Sequence, residues 1–268
     1  MFESCKNKSC ILIGAVHVPA LPGSDGYEFD MTRVIKKSVA DALAYKEGGF
    51  DALIVENMHD VPYRCGSVAA ETVAAMTVVA QAVKNAVNLP LGVQLLAGAN
   101  IESLAVATAL DLDFIRVEGF VFAHVGDEGL HQASAPTLVR KRAELKAQKV
   151  KIFADIKKKH SSHAITADVD LAETGHAAEF FKADAVIVSG LRTAAAPLES
   201  EVKAVAEAVK IPTLVGSGVT PQNIALFSKH AQALIIGSYA KKDGHWANDC
   251  DGKRLEALVK ALDQNVPV

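Results

Sequence analysis

Eight short apolar runs, each followed by a stretch with three- and four-residue apolar spacing, predict an α/β chain closed into a (β/α)8 TIM barrel, a parallel closed sheet with outer helices. The length of 268 residues matches one such barrel. The last two runs both end in small residues, Val215-Gly216-Ser217-Gly218-Val219 and Ile235-Ile236-Gly237-Ser238. That is where phosphate-binding barrels place an anion pocket, after strands seven and eight. A doubly wound open sheet is the alternative.

The strand-like runs are 11–16, 52–55, 91–96, 114–117, 151–156, 185–188, 213–215 and 234–236. Valine, isoleucine, leucine and alanine dominate them, as buried parallel strands require. Helical stretches follow at 31–46, 67–86, 101–110, 136–148, 168–181, 197–209, 221–229 and 253–262. Asn100, Asp168 and Thr220 are expected N-caps, Pro221 is expected at a first helical position, and Pro136 and Pro197 sit near helix starts. Apolar residues cover most of the circumference of 67–86. The helix is therefore either a subunit interface, making a homo-oligomer, or a small-residue helix packed between its neighbours. No linker, low-complexity stretch or charge block divides the chain, and a single domain is expected over 1–268.

Half the residues are hydrophobic and the formal net charge is −3, which suits a folded enzyme and offers no electrostatic case for nucleic acid or an acidic membrane. No apolar run reaches membrane-spanning length. The residues before the first strand are too few and too polar for a signal peptide. Cys5, Cys10, Cys65 and Cys250 form no CxxC pair, so free thiols in a reducing compartment are expected. A cytoplasmic location follows, with an organelle matrix as the alternative.

Chemistry in this fold belongs at the C-terminal strand ends. Those ends read His17; Glu56, Asn57 and Asp60; Gln94; Arg116 and Glu118; Asp155, Lys157, Lys159 and His160; Ser189 and Arg192; then the two glycine-rich ends. Strand alternation places Arg116 and Glu118 on one face, and Asp155 and Lys157 on one face. Charges on buried strands are costly unless paired or functional, so their clustering points to an active site. Glu56, Arg116, Glu118, Asp155 and Lys157 are the catalytic candidates: carboxylates for acid and base, Arg116 to orient an anionic group, Asp155 and Lys157 as an acid–base pair. Each has a structural alternative. Glu56 would bridge to Arg116 or a lysine across the barrel, Arg116 would pair with Glu118, and Asp155 with Lys157.

Gly216, Ser217, Gly218, Gly237 and Ser238 are the expected phosphate ligands; the alternative is that the glycines only let strands turn into helices. His17, Asn57, Asp60, Gln94, His160 and Ser189 are further substrate-binding candidates. Within the run Lys157-Lys158-Lys159-His160, a lysine would neutralise phosphate or form a Schiff base, or the run is solvated loop charge, Lys158 above all. The long segment 119–134, with His124 and His131, is expected to be a lid. His160 and His163 with Asp155 would form part of a divalent-metal site, although the spacing is not diagnostic. No metal ligand and no cofactor is otherwise expected.

Gly14-Ala15-Val16-His17 with Ala20-Leu21-Pro22-Gly23, Ile54-Val55-Glu56-Asn57 with Asp60-Val61-Pro62-Tyr63, Phe114-Ile115-Arg116-Val117, Asp184-Ala185-Val186-Ile187-Val188-Ser189-Gly190 and Leu214-Val215-Gly216-Ser217-Gly218-Val219-Thr220 together resemble the BtpA family, which includes the SgcQ-like proteins. The resemblance spans nearly the whole chain and implies a TIM-type barrel. It also implies association with photosystem I biogenesis in photosynthetic members, and nucleosidase-like activity beside sugar uptake in SgcQ-like ones. Relatives usually carry asparagine where this chain has Glu118. The expected function is an enzyme acting by acid/base chemistry on a small phosphorylated metabolite, a sugar phosphate or a phosphoribosyl or nucleoside-like compound. Isomerase, lyase and nucleosidase-like hydrolase chemistry all fit. The alternatives are a non-catalytic assembly or regulatory factor of the photosystem I biogenesis type and a metal-dependent hydrolase.

Overall fold

The computed structural model describes Lys8 and residues 10–264; Cys5 lies outside the described residues. In chain order the elements are β1 (Ile11–His17), α1 (Met31–Glu47), β2 (Ala52–Glu56), α2 (Ala70–Ala86), β3 (Leu91–Gln94), α3 (Asn100–Ala109), β4 (Phe114–Val117), β5 (His124–Gly126), β6 (Gly129–His131), α4 (Ala135–Glu144), β7 (Lys151–Ile156), β8 (Ser161–Ser162), α5 (Leu171–Phe180), β9 (Ala185–Val188), α6 (Glu199–Ala208), β10 (Thr213–Val215), α7 (Ile224–Phe227), β11 (Ala233–Ile236) and α8 (Gly252–Asp263). Among the described residues, eight strands close into a barrel in the order β1-β11-β10-β9-β7-β4-β3-β2, every neighbouring pair parallel. The eight sequence runs are these strands. β5, β6 and β8 form a separate antiparallel sheet.

Alternation sorts each strand between two cores. Ile11, Ile13, Ala15, Ala52, Ile54, Phe114, Phe153, Ala185, Ile187, Leu214, Ala233 and Ile235 fill the barrel interior. Leu12, Val16, Leu53, Val55, Ile115, Val117, Val186 and Val188 pack outward against the helices. Phe114 and Phe153 stack with centroids 4.6 Å apart and floor the interior. Gly92 on β3 makes room for the Phe114 ring, which a Cβ there would strike. Outside, Gly14 admits Tyr45 of α1, whose hydroxyl donates to Ala15 O and Ile236 O, both at 3.1 Å. The fully buried Lys241, just past β11, reaches Asp41 of α1 at 2.7 Å.

Three expected caps are displaced. α3 begins at Asn100 itself, whose side chain crosses to Glu118 O (2.7 Å) and Ser134 Oγ (2.9 Å). Asp170, not Asp168, caps α5 by accepting from Glu173 N at 2.7 Å. Thr220 and Pro221 lie in a turn before α7. There Asn223 Oδ1 accepts from Thr220 N (2.8 Å) and its amide donates to Gly218 O (2.9 Å), local bonds that compete with an earlier helix start. α2 begins at Ala70 and buries Thr72, Ala75, Met76, Val79, Ala80 and Val83, with Ala74, Val78 and Gln81 facing out. The described cysteines, Cys10, Cys65 and Cys250, are free, and no helix of the described residues is long and apolar enough to cross a membrane.

A Cβ at Gly14 would lie 2.5 Å from Tyr45 Cγ. Gly14→Ala is therefore expected to cost about 1–3 kcal/mol of stability, read from the urea midpoint; an unchanged midpoint would show that α1 yields freely.

Candidate active site at the barrel mouth

One step above the apolar interior, the inward positions become His17, Glu56, Gln94, Arg116, Asp155, Ser189, Gly216 and Gly237, one from each strand or its end. The rim is polar because each strand ends its apolar alternation there. At its centre lies Arg116, 3% exposed. Its Nε and Nη2 bind Asp155 Oδ2 and Oδ1 at 2.7 and 2.9 Å, and its Nη1 binds Glu56 Oε1 at 3.2 Å. Ser189 Oγ donates to Asp155 Oδ1 at 3.1 Å. Burial opposes the guanidinium charge, but the two carboxylates outweigh it and hold Arg116 above its ordinary range. Of the expected pairings, Glu56–Arg116 forms and Arg116–Glu118 does not.

Lys157 does not pair with Asp155 and does not enter the mouth. Its φ of +49° turns the chain out of the strand, and its Nζ reaches Thr166 O at 3.4 Å beside a separate small cavity. Lys158, the expected solvated charge, is buried instead: Nζ lies 2.7 Å from Glu128 Oε1 and 3.7 Å from Glu118 Oε2. Burial, with Asp155 nearby, pushes the Glu118 carboxyl up despite Lys158. Glu128 is opposed by burial too, yet hydrogen bonds from His131 (2.5 Å) and Lys158 bring it down to about 2. Glu128 comes from the β5–β6 hairpin, so the expected lid is an ordered sheet, joined to the β7 loop through β8. Behind it His124 stacks on His131 (4.8 Å) and tilts against His163 (5.2 Å).

Two cavities open from this rim. The larger, about 200 Å³, has an apolar wall of Met58, Tyr63, Leu96, Ala97 and Trp246 opposite Gln94, Glu118, Glu128 and Lys158. Gln94 Nε2 and Glu118 Oε2 are buried there without a hydrogen-bond partner. The smaller is lined by Gly216, Ser217, Gly218, Gly237 and Ser238 together with His17. Glu56, Met58, Arg116, Lys159 and Thr193 border both. The last ladder amide of β10 is Gly216 N, bonded to Val188 O at 2.8 Å, so the Ser217 and Gly218 amides lie beyond the ladder. His17 Nδ1 donates to Trp246 O at 2.7 Å, which leaves Nε2 as an acceptor, 3.1 Å from where a Cβ on Gly237 would sit. Burial, then Lys241, holds this imidazole down at about 3.

Several candidates hold loops. Ser217 Oγ accepts from Gly190 N and donates to Ala195 O, so the hydroxyl ties the β10 turn to the β9 loop. A Cβ on Gly218, at φ +68°, would run into the Ala195–Ala196 peptide. Asn57 and Asp60 bond each other at 2.9 Å and fix Leu96 N and Leu21 N; neither lines the two cavities. His160 borders the larger cavity, but its Nε2 accepts from Thr193 N at 3.1 Å. His163 donates to Lys158 O, and Asp155 is held by Arg116, so the three residues of the metal alternative face different partners. Among the described residues no group of three His, Cys, Asp or Glu side chains is arranged to hold a metal ion. Lys159 stood among the strand-end residues without entering the catalytic set; Trp246, Glu128 and Tyr63 carried no local signal.

The arrangement defines a closed (β/α)8 barrel with an ionisable rim and a glycine-walled cavity beside it. The chain belongs to the BtpA family, whose sequence model matches residues 8–264. It is 43% identical over 258 residues to a Caenorhabditis elegans protein described as uncharacterised and mitochondrial, covering 94% of this chain and 93% of that one. Identity to the photosystem I biogenesis protein BtpA of Synechocystis is 32% over 256 residues, covering 95% and 88%. Among solved structures, (S)-3-O-geranylgeranylglyceryl phosphate synthase from Thermoplasma acidophilum, in complex with substrate sn-glycerol-1-phosphate, has a TM-score of 0.60 at 16% identity, covering 98% and 96%. That likeness is one of fold.

Arg116→Met would leave Glu56 and Asp155 buried without their cation, and is expected to cost about 3–5 kcal/mol in denaturant unfolding. His17, His59 and His124 sit at about 3, 4 and 4, below the 6.5 of a free imidazole. Their neutral forms stabilise the fold fully above pH 6.5 and progressively less as pH falls toward those values. The urea midpoint is expected to drop on acidification from pH 6.5 to about 5, less steeply in His124→Asn; equal slopes would remove His124 from the effect.

Proposed function

We propose that the protein is an enzyme acting on a small phosphorylated metabolite. The observation that carries this is the convergence of the Gly216–Gly218 and Gly237–Ser238 turns on one cavity shared with Arg116, Lys159 and His17. Main-chain amides there would hold the phosphate oxygens. The rest of the substrate would extend past Glu56 into the larger cavity, where a sugar or ring packs on Met58, Tyr63 and Trp246 and meets the unpaired Gln94 amide. Glu118, whose carboxyl burial pushes upward, is the acid; Glu56 is the base; Arg116 stabilises negative charge as it develops. The phosphorylated substrate in the glyceryl phosphate synthase supports the substrate class. Isomerisation, bond cleavage by a lyase and nucleosidase-like hydrolysis remain within this reading.

The name of the Synechocystis relative supports a second reading, an assembly factor that keeps the cavity as a sensor. The outward strip of α2, with Ala74 and Val78, would be the contact surface of a homo-oligomer in either case. The mitochondrial relative supports an organelle matrix as an alternative to the cytoplasm.

Inorganic phosphate and sn-glycerol 1-phosphate are expected to raise the melting temperature, and Ser238→Asp to abolish the response while leaving the fold intact. Ser238 is preferable to Gly218 as the test position, because any side chain at Gly218 would displace the β9 loop. A response that survives in Ser238→Asp would remove phosphate from this cavity. Glu56→Gln is expected to keep the phosphate response and lower turnover by at least about tenfold; unchanged turnover would exclude it as the base.

A further inference from the structure

Two adjacent lysines at the mouth have opposite surroundings. Lys158 is clamped between Glu118 and Glu128 and held above its ordinary range, against its burial, by those carboxylates. Lys159 borders both cavities, yet no described residue offers its Nζ a hydrogen bond or ion pair. The carboxylates around it each face another cation. Both Asp155 oxygens and Glu56 Oε1 serve Arg116, while Glu118 and Glu128 serve Lys158. Burial and then the Arg116 charge hold the Lys159 amine below the usual lysine range, more than Glu56 and Asp155 restore. A lysine placed only for charge would have an arrangement like that of Lys158. A partly buried amine with a fixed cation beside it and a cavity on each side has the requirements of a nucleophile.

We propose that Lys159 is the catalytic nucleophile, forming an imine with the carbonyl carbon of a phosphorylated aldehyde or ketone. The inference uses the phosphate reading above to anchor the substrate, whereas the nucleophile is assigned from the surroundings of Lys159 itself. The neutral amine donates its lone pair to the carbonyl carbon, and the C=O π pair moves onto oxygen, which takes a proton from Glu118. The nitrogen of this carbinolamine then loses a proton to Glu56. Glu56 returns that proton to the hydroxyl, which leaves as water while the nitrogen lone pair forms C=N, so the one proton consumed overall is the one Glu118 gave. The net change is amine plus carbonyl plus one proton giving iminium plus water. The iminium draws electrons from the neighbouring bond, so the substrate class narrows to carbonyl compounds and the reaction to carbon–carbon cleavage or proton transfer beside the carbonyl.

The test is reductive trapping. The full-length protein is incubated separately with dihydroxyacetone phosphate and glyceraldehyde 3-phosphate in the presence of cyanoborohydride, then read by intact mass and peptide mapping. Hydride reduces the iminium to a secondary amine, adding one probe less one oxygen. One adduct is expected, on the peptide carrying Lys159, slowed by excess inorganic phosphate. Lys159→Arg is expected to lose labelling by at least about tenfold and to keep its phosphate-induced rise in melting temperature, while Lys203→Met, at an exposed position on α6, labels normally. No adduct with either probe, label scattered over surface lysines, or undiminished labelling of Lys159→Arg would overturn the proposal. A phosphate response without an adduct would overturn the imine and leave the phosphate cavity standing. An adduct at Lys159 that phosphate does not slow would uphold the nucleophile and remove the anchor.

Discussion

The fork between Arg116 and Asp155, with Glu56 on the third nitrogen, sets the geometry of the whole mouth. A guanidinium has five donors in one plane, and three are spent on two carboxylates from different strands. Each group is costly to bury alone; together they are tolerable inside a ring whose floor is Phe114 and Phe153. The fork also bears on sequence elsewhere. A Cβ at Gly216 would lie 2.5 Å from Ile187 Cγ2, 2.7 Å from Ser189 Oγ and 3.0 Å from Arg116 Nη2, so glycine follows β10 because β9 crowds the position and the cation adds to the crowding. The glycine-walled cavity is thus partly a consequence of the ion cluster below it.

The same fork explains the division of labour between the lysines. Because Arg116 holds the Asp155 oxygens and one of Glu56, and Lys158 draws Glu118, none of these carboxylates is bonded to Lys159. Lys158 finds its partners because the β5–β6 hairpin brings Glu128 over the rim. Two cations in one short run are therefore set apart by which carboxylates are already occupied, a difference their sequence neighbourhood does not contain.

That difference marks how far sequence carried the site. The rim residues His17, Glu56, Gln94, Arg116, Asp155, Ser189 and the two glycines were readable because period-two alternation is a local property that continues one step past the apolar run. Alternation failed at Lys157, where a left-handed backbone ends the strand geometry and exchanges which lysine faces inward. Lys158 was misjudged because its burial depends on Glu128, thirty residues away on another loop. Trp246 reaches His17 across 229 residues, and nothing near either predicts it. Asn57 and Asp60 spend their side chains on Leu96 N and Leu21 N, each 39 residues away, which is again a long-range partnership; only at Thr220 is the cause local, where the Asn223 side chain takes the Thr220 amide and delays the helix. The barrel itself was legible because each of its eight units repeats the same local pattern.

A dianion next to Lys159 would normally raise the amine's proton affinity and silence it as a nucleophile. The layout counters this in two ways. In the proposed reading the turns around Gly218 and Gly237 would offer main-chain donors, whose partial charges would hold an anion without a formal cation. Ser217 Oγ, with its bonds to Gly190 N and Ala195 O, braces the first of these turns against the β9 loop, so the donors stay fixed as charge arrives. On the other side Arg116, locked by two strands, cannot swing toward the anion and keeps its repulsion on the Lys159 amine. A rigid fork would therefore serve both halves of the proposed site, leaving phosphate to the backbone and the amine to carbon.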